Sequence, residues 1–250
     1  MKLDIKVWAG LGLLAAALLL LSKKKYKSAL VVGDSLSSLP NAMGGEMQRI
    51  LNEKGIPTER VFKSGKGTIY YIGEEAGVGR AITGKGKPGR KVRPSPITQA
   101  VKKHRPELLV VILGANDFRL GLAEGDWRPH GLRRKGPIAP RAAMYKAALK
   151  KFVNMAEAEG VKKIVWVGPS KHEDDPRPGR EHKHGTWSNP AAIQIAKWQK
   201  ETLPRRVTFI DSQPLTAALP TKDGIHFYPK ESKIWAELAA EQLFNVVAAA

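Results

Sequence analysis

Cysteine is absent from the 250 residues, which excludes disulfides, thiolate metal sites, iron–sulfur clusters and a cysteine nucleophile. Any fold must therefore be held by its hydrophobic core, while the absence leaves the redox compartment open. Acidic side chains are scarce as well: 23 Asp and Glu stand against 42 Lys and Arg, a formal net charge of +19. An excess of that size favours an anionic partner, whether nucleic acid, an acidic membrane surface or an acidic envelope polymer, and its plainer reading is a solvated basic surface. Internal repeats and long low-complexity segments are missing too. With 42% hydrophobic and 26% charged residues, the composition excludes disordered and collagen-like chains, and the length suits one domain or at most two.

Long apolar runs are also few, and the longest lies near the start. Val7 to Leu21 reads VWAGLGLLAAALLLL, preceded by Lys2 and Lys6 and closed by Ser22, Lys23, Lys24, Lys25 and Lys27. Fifteen helical residues span roughly 22 Å, short of a ~30 Å hydrocarbon core. Lysines at both ends can snorkel and Trp8 suits an interface, so residues 7–21 are expected to enter a lipid bilayer as a single-pass anchor. A cleaved signal peptide competes with this reading, but no small-x-small cleavage site precedes the lysine cluster. Four lysines after the run against two before it favour, by a small margin, a cytoplasmic main domain, and an export signal has similar charges. The side of the membrane stays open. Residues 1–27 are thus expected to form a hydrophobic anchor with a basic flank, and residues 28–250 the folded domain.

Beyond the anchor, short β-branched runs alternate with amphipathic stretches. Strands are predicted at Ala29–Gly33, Glu59–Phe62, Leu108–Leu113, Lys163–Val167 and Val207–Ile210. Helices are predicted near Ala42–Lys54, Ile97–His104, Arg141–Glu159, Pro190–Glu201 and Lys230–Val247. Continuous apolar strands separated by helices imply a parallel sheet covered on both faces. Long loops rich in Gly, Pro and charge follow at Gly79–Pro96, Gly121–Pro140 and Ser170–Asn189. Loops leaving the carboxyl ends of parallel strands surround the ligand crevice, so the second and third are expected to frame a site.

Chemistry concentrates where strands end. The first predicted strand closes in Gly33-Asp34-Ser35-Leu36, and a serine on a strand-to-helix turn is presented at the sheet edge beside backbone N–H donors. The third closes in Gly114-Ala115-Asn116-Asp117, where an asparagine can aim its amide into the crevice, or simply cap a turn. Before the last helix stands Asp223-Gly224-Ile225-His226. At this spacing the carboxylate can bond one imidazole nitrogen and leave the other to take a proton from a serine.

In this order the three blocks resemble the SGNH hydrolase, or GDSL esterase/lipase, superfamily, over roughly Ser28 to the C-terminal helix. The resemblance implies a flavodoxin-like three-layer α/β/α sandwich with a five-stranded parallel sheet, here preceded by the anchor helix. It assigns the nucleophile to Ser35, the base to His226 and the orienting carboxylate to Asp223. The oxyanion hole would use the Ser35 N–H, a glycine N–H and the Asn116 side chain. That glycine falls in Lys63-Ser64-Gly65-Lys66-Gly67-Thr68, with Gly65 chosen and Gly67 close behind; the asparagine that often precedes it in the family is missing. The chain order Ser, Asp, His is shared with α/β-hydrolases, but Val32-Gly33-Asp34-Ser35-Leu36 is not their G-x-S-x-G elbow.

Other features are weaker. Gly79–Pro96 and Gly121–Arg141 hold eleven basic residues against Glu124 and Asp126, about half of the net charge, and are expected to meet an anionic envelope polymer or acidic membrane surface. Nucleic acid is disfavoured by that distribution. GKGKPGR lacks the phosphate-loop pattern, so no nucleotide cofactor is expected. His172, Glu173, Asp174, Asp175, His182 and His184 match no compact ligand spacing, so no metal is expected either. Trp127 and Trp187 can stack on a sugar, dip into lipid or pin their loops. The expected function is a membrane-anchored serine esterase that removes acyl or acetyl groups from an envelope glycan, peptidoglycan or a lipid. The alternative is an inactive structural or adaptor protein of a membrane or membrane-containing virion with the same fold.

Overall fold

The structure, a computed structural model, describes residues 26–73, 95–117, 138–173 and 189–249. Five strands, β1 (Ala29–Gly33), β2 (Thr58–Phe62), β3 (Leu108–Ile112), β4 (Lys163–Val167) and β5 (Thr208–Ile210), form one parallel sheet in the order β2-β1-β3-β4-β5. β1, β3 and all but the first residue of β4 are buried throughout, as expected for parallel strands covered on both faces. Alternation along each strand sorts the side chains between two cores. Leu30, Val32, Leu109, Val111, Ile164 and Trp166 point one way, and Val31, Val110, Ile112, Val165 and Val167 the other.

The first face is covered by α2 (Thr68–Tyr71), α3 (Pro96–His104), α4 (Ile138–Ala158) and α5 (Asn189–Thr202). Tyr71, Phe152 and Trp166 meet there edge to face, with ring centroids 6.3 and 5.2 Å apart. The second face is covered by α1 (Met43–Glu53) and α7 (Pro229–Ala249), with α6 (Ser212–Thr216) beside them. Trp235 is wholly buried here and its indole N–H donates to Ser212 Oγ at 3.1 Å, which satisfies the ring's one polar atom.

The three-layer sandwich and five-stranded parallel sheet match the expectation. Differences are confined to boundaries and to small elements: β2 begins at Thr58 and β5 at Thr208, while α2, α6 and a 3₁₀ turn at Ser35–Ser37 are too short to leave a periodic signal. Among the described residues no helix is long and apolar enough to cross a membrane. The apolar run 7–21 lies outside the described residues, as do 79–94 and 121–137 of the two basic loops. Because β1 has β2 on one side and β3 on the other, the chain reverses direction across the sheet there. A ligand crevice is expected beyond the carboxyl ends of strands at such a reversal.

Candidate active site

Ser35 opens the 3₁₀ turn directly after β1. Asp34 caps that turn, its Oδ1 accepting from Leu36 N–H at 2.9 Å, and Ser38 Oγ donates to Ser35 O at 2.7 Å. The strand can end so close to the turn because residue 33 is glycine: a Cβ there would lie 2.0 Å from Ser37 Oγ. A side chain at that position would displace the turn that presents Ser35.

His226 reaches the same point from the opposite end of the sequence. Its Nε2 stands 2.9 Å from Ser35 Oγ, and its Nδ1 lies 2.9 and 3.1 Å from the two oxygens of Asp223. Asp223 also accepts the His226 and Ile225 backbone N–H groups at 2.8 and 3.3 Å. The loop is thus closed on its own carboxylate, and neighbours brace it from outside. Thr221 Oγ1 donates to Glu173 Oε2 at 2.8 Å and accepts from Gly224 N–H at 3.0 Å, while Glu173 N–H donates to Gly224 O at 2.9 Å.

The electrostatics follow from these contacts. Burial acts to raise the Asp223 carboxyl, but the ring and backbone N–H groups of His226 outweigh it and hold the group below the usual carboxylate range. Asp223 in turn raises the His226 imidazole above its ordinary value, with burial opposing and Asp34 helping. An imidazole with its Nδ1–H on a carboxylate keeps Nε2 unprotonated and turned toward the serine hydroxyl.

Asn116, at the end of β3, donates one amide hydrogen to Asp34 Oδ2 at 2.9 Å. Burial pushes the Asp34 carboxyl up to about 6, against the opposing bonds from Leu36 and Asn116. The next residue, Asp117, is buried and joins β3 to α2: its oxygens accept the Thr68 N–H at 2.8 Å and the Thr68 hydroxyl at 2.9 Å. Burial lifts its carboxyl to about 7, with the Thr68 bonds opposing and Asp34 adding to the rise. Tyr145 and Gln199 extend the network, Gln199 Nε2 donating to both the Tyr145 hydroxyl and Leu113 O at 2.9 Å.

The two candidate glycines separate by conformation. Gly65 has φ +71° within a tight turn closed by Lys66 N–H to Lys63 O at 3.2 Å, a left-handed position that glycine takes without strain. Gly67 is explained by crowding, because a Cβ there would lie 2.2 Å from Asp117 Oδ1.

The structure therefore brings Ser35, His226, Asp223 and Asn116 to one sheet edge. Sequence reading missed Asp34 and Asp117 as supports, although both sit inside the motifs it singled out. His172 is buried just after β4, and burial, helped by the charge of His226, pushes its imidazole down to about 3, so it stays neutral. Asp174, Asp175, His182 and His184 lie outside the described residues, as do Trp127 and Trp187. Among the described residues no group of three or more potential ligands is placed to hold a metal ion.

A serine turn after β1, an Asn-Asp turn after β3 and an Asp-x-x-His loop before the last helix stand on a parallel sheet of order β2-β1-β3-β4-β5, and the fold is shared with solved structures of ester-cleaving enzymes. Solved structures of like fold include a carbohydrate acetylesterase from Sinorhizobium meliloti, 17% identical, with a TM-score of 0.58 over 88% of this chain and 99% of that one. An aryl esterase from M. smegmatis is likewise 17% identical, with a TM-score of 0.54 over 88% and 99% of the two chains. A GDSL-like lipase, described as putative, from Parabacteroides merdae is 14% identical, with a TM-score of 0.51 over 87% and 95%. No protein-family model matches the sequence, and no curated protein matches it.

Proposed function

We propose that this protein is a serine ester hydrolase. The observation that carries the reading is the unbroken chain of hydrogen bonds from Ser35 Oγ through the His226 imidazole to Asp223. The esterase activities named for the proteins of like fold support it.

In the first half-reaction Ser35 Oγ bonds to the acyl carbon as its proton passes to His226 Nε2. The carbonyl oxygen gathers negative charge and accepts hydrogen bonds from the Ser35 and Gly65 N–H groups and the Asn116 amide, which stabilise it. The bond from carbon to the alcohol oxygen then breaks, and His226 returns the proton to that oxygen. Water next attacks the acyl-serine, gives its proton to Nε2, and Ser35 regains it as the acid leaves. Asp223 stays ionised throughout and stabilises the imidazolium that forms twice per cycle.

The substrate we propose is an acyl or acetyl ester of an envelope glycan, peptidoglycan or lipid. Support comes from the apolar run 7–21, read as a membrane anchor, and from the basic loops, read as contacts to an anionic surface. Full-length protein should hydrolyse p-nitrophenyl acetate and take up one equivalent of a fluorophosphonate, with the adduct found by peptide mass spectrometry on Ser35. Absence of both would defeat the reading in favour of an inactive adaptor. Asn116→Ala should lower kcat about 10²- to 10³-fold, the usual cost of one oxyanion donor, with KM nearly constant. A loss below threefold would remove Asn116 from that role.

A further inference from the structure

Beside Ser35 a half-open cleft of about 490 Å³ runs between the segment entering α1 and the segment entering α7. Its walls include Leu39, Met43, Phe227, Tyr228 and Trp235, together with Ser35 and His226, and neither Gly65 nor Asn116 is among them. The cleft therefore belongs to the layer of α1 and α7, whereas the loop bearing Gly65 leads into α2, which packs on the opposite face.

This placement decides which part of an ester would lie there. In the tetrahedral intermediate the oxyanion points at its donors, and the alcohol oxygen must sit near His226 Nε2 to be protonated as it departs. A cleft that shares Ser35 and His226 but neither Gly65 nor Asn116 extends from the reacting carbon on the side of His226, where the alcohol departs. Its volume falls in the range that encloses a small ligand, far beyond what a methyl or ethyl group fills.

The lining narrows the chemistry. Leu39 and Tyr228 are 60% and 47% exposed, so two large side chains keep apolar surface in water at the edge of the cleft. Covering such surface is favourable by roughly 25 cal/mol per Å². Among the described residues lining the cleft the one carboxylate is Asp223, already bonded to His226, and the one cation is Lys222. A cationic alcohol would find no free counter-charge there.

Resting on the ester-hydrolase reading, we infer that the cleft binds the leaving alcohol of the substrate, and that this alcohol is bulky, not cationic, and carries an apolar face or ring that lies against Leu39 and Tyr228. The acyl group is accommodated elsewhere.

The test uses full-length protein and two acetates whose alcohols are of similar acidity, benzyl acetate and ethyl acetate. Wild type should favour benzyl acetate by about tenfold or more in kcat/KM. Leu39→Ser with Tyr228→Ser should remove most of that preference, and both positions are exposed enough for the fold to persist, which a thermal melt verifies. Across acetyl, butyryl and hexanoyl esters of benzyl alcohol, the order of preference should be retained in the double variant. An unchanged benzyl-to-ethyl ratio would overturn the inference, and so would a changed acyl order, which would assign the cleft to the acyl chain. If wild type and Ser35→Ala hydrolyse equally, the hydrolase reading fails instead. Binding of benzyl alcohol, the product that the cleft would hold, followed by saturation-transfer NMR, then reads the cleft directly: weaker binding in the double variant sustains an apolar-ring site, and equal binding overturns it.

Discussion

Ser35→Ala is expected to lower kcat for p-nitrophenyl acetate by at least about 10⁴-fold while leaving a folded protein. The size of the loss follows from covalent catalysis. Without Oγ there is no acyl-enzyme, and what remains is whatever the oxyanion donors and binding can do for direct attack by water. Structural damage should be slight, because the turn is not held by the serine side chain. Asp34 caps it through Leu36 N–H, and Ser38 ties it through Ser35 O, and both bonds survive the substitution. Among the described residues the side-chain bond lost is that to His226, worth on the order of 1 kcal/mol. Steady-state kinetics together with a thermal melt check the prediction. A variant that keeps more than a tenth of the activity would show that hydrolysis proceeds without Ser35, and a collapsed melt would show that the turn depends on it.

The parts of this site that sequence made legible are those set by local pattern. β1, β3 and β4 stand out as unbroken apolar runs because both faces of a parallel sheet are buried, and Asp223 and His226 lie three residues apart in one loop. Boundaries were less legible. The sequence pattern predicts Glu59 as the start of β2, yet the strand begins at Thr58, because it is a partly polar edge strand with little apolar contrast. Least visible were contacts made across the chain. Asn116 and Asp34 are 82 residues apart, and Asp117 and Thr68 are 49 apart; only the folded sheet, which sets the end of β3 beside the end of β1, brings them together. Gly67 illustrates the same limit, since its need for a missing Cβ comes from Asp117 and not from its own turn.

Asp223→Asn should cost about 10⁴-fold in kcat, a loss comparable to removing the nucleophile, and should also move the pH dependence. The wild-type imidazole donates Nδ1–H to a carboxylate held ionised well into acid. An asparagine can instead present its own N–H₂ to Nδ1, which favours the tautomer with the proton on Nε2, where it can no longer accept from Ser35. The sign of the pH effect follows from the same bond. His226 must be neutral to act as base, so kcat/KM rises with pH through the imidazole pKa, which Asp223 lifts above the ordinary 6.5. The acid limb of the wild-type profile should therefore have its midpoint above 6.5, and in Asp223→Asn the midpoint should fall as the attraction of the carboxylate for the imidazolium is lost. Asp34 remains to favour the charged ring and Lys222 to oppose it, so the shift measures the share due to Asp223. A pH series of kcat/KM on both proteins, with Asp223→Glu as a charge-preserving control, decides the matter. An unmoved midpoint in the asparagine variant would mean that Asp223 orients the ring without setting its charge.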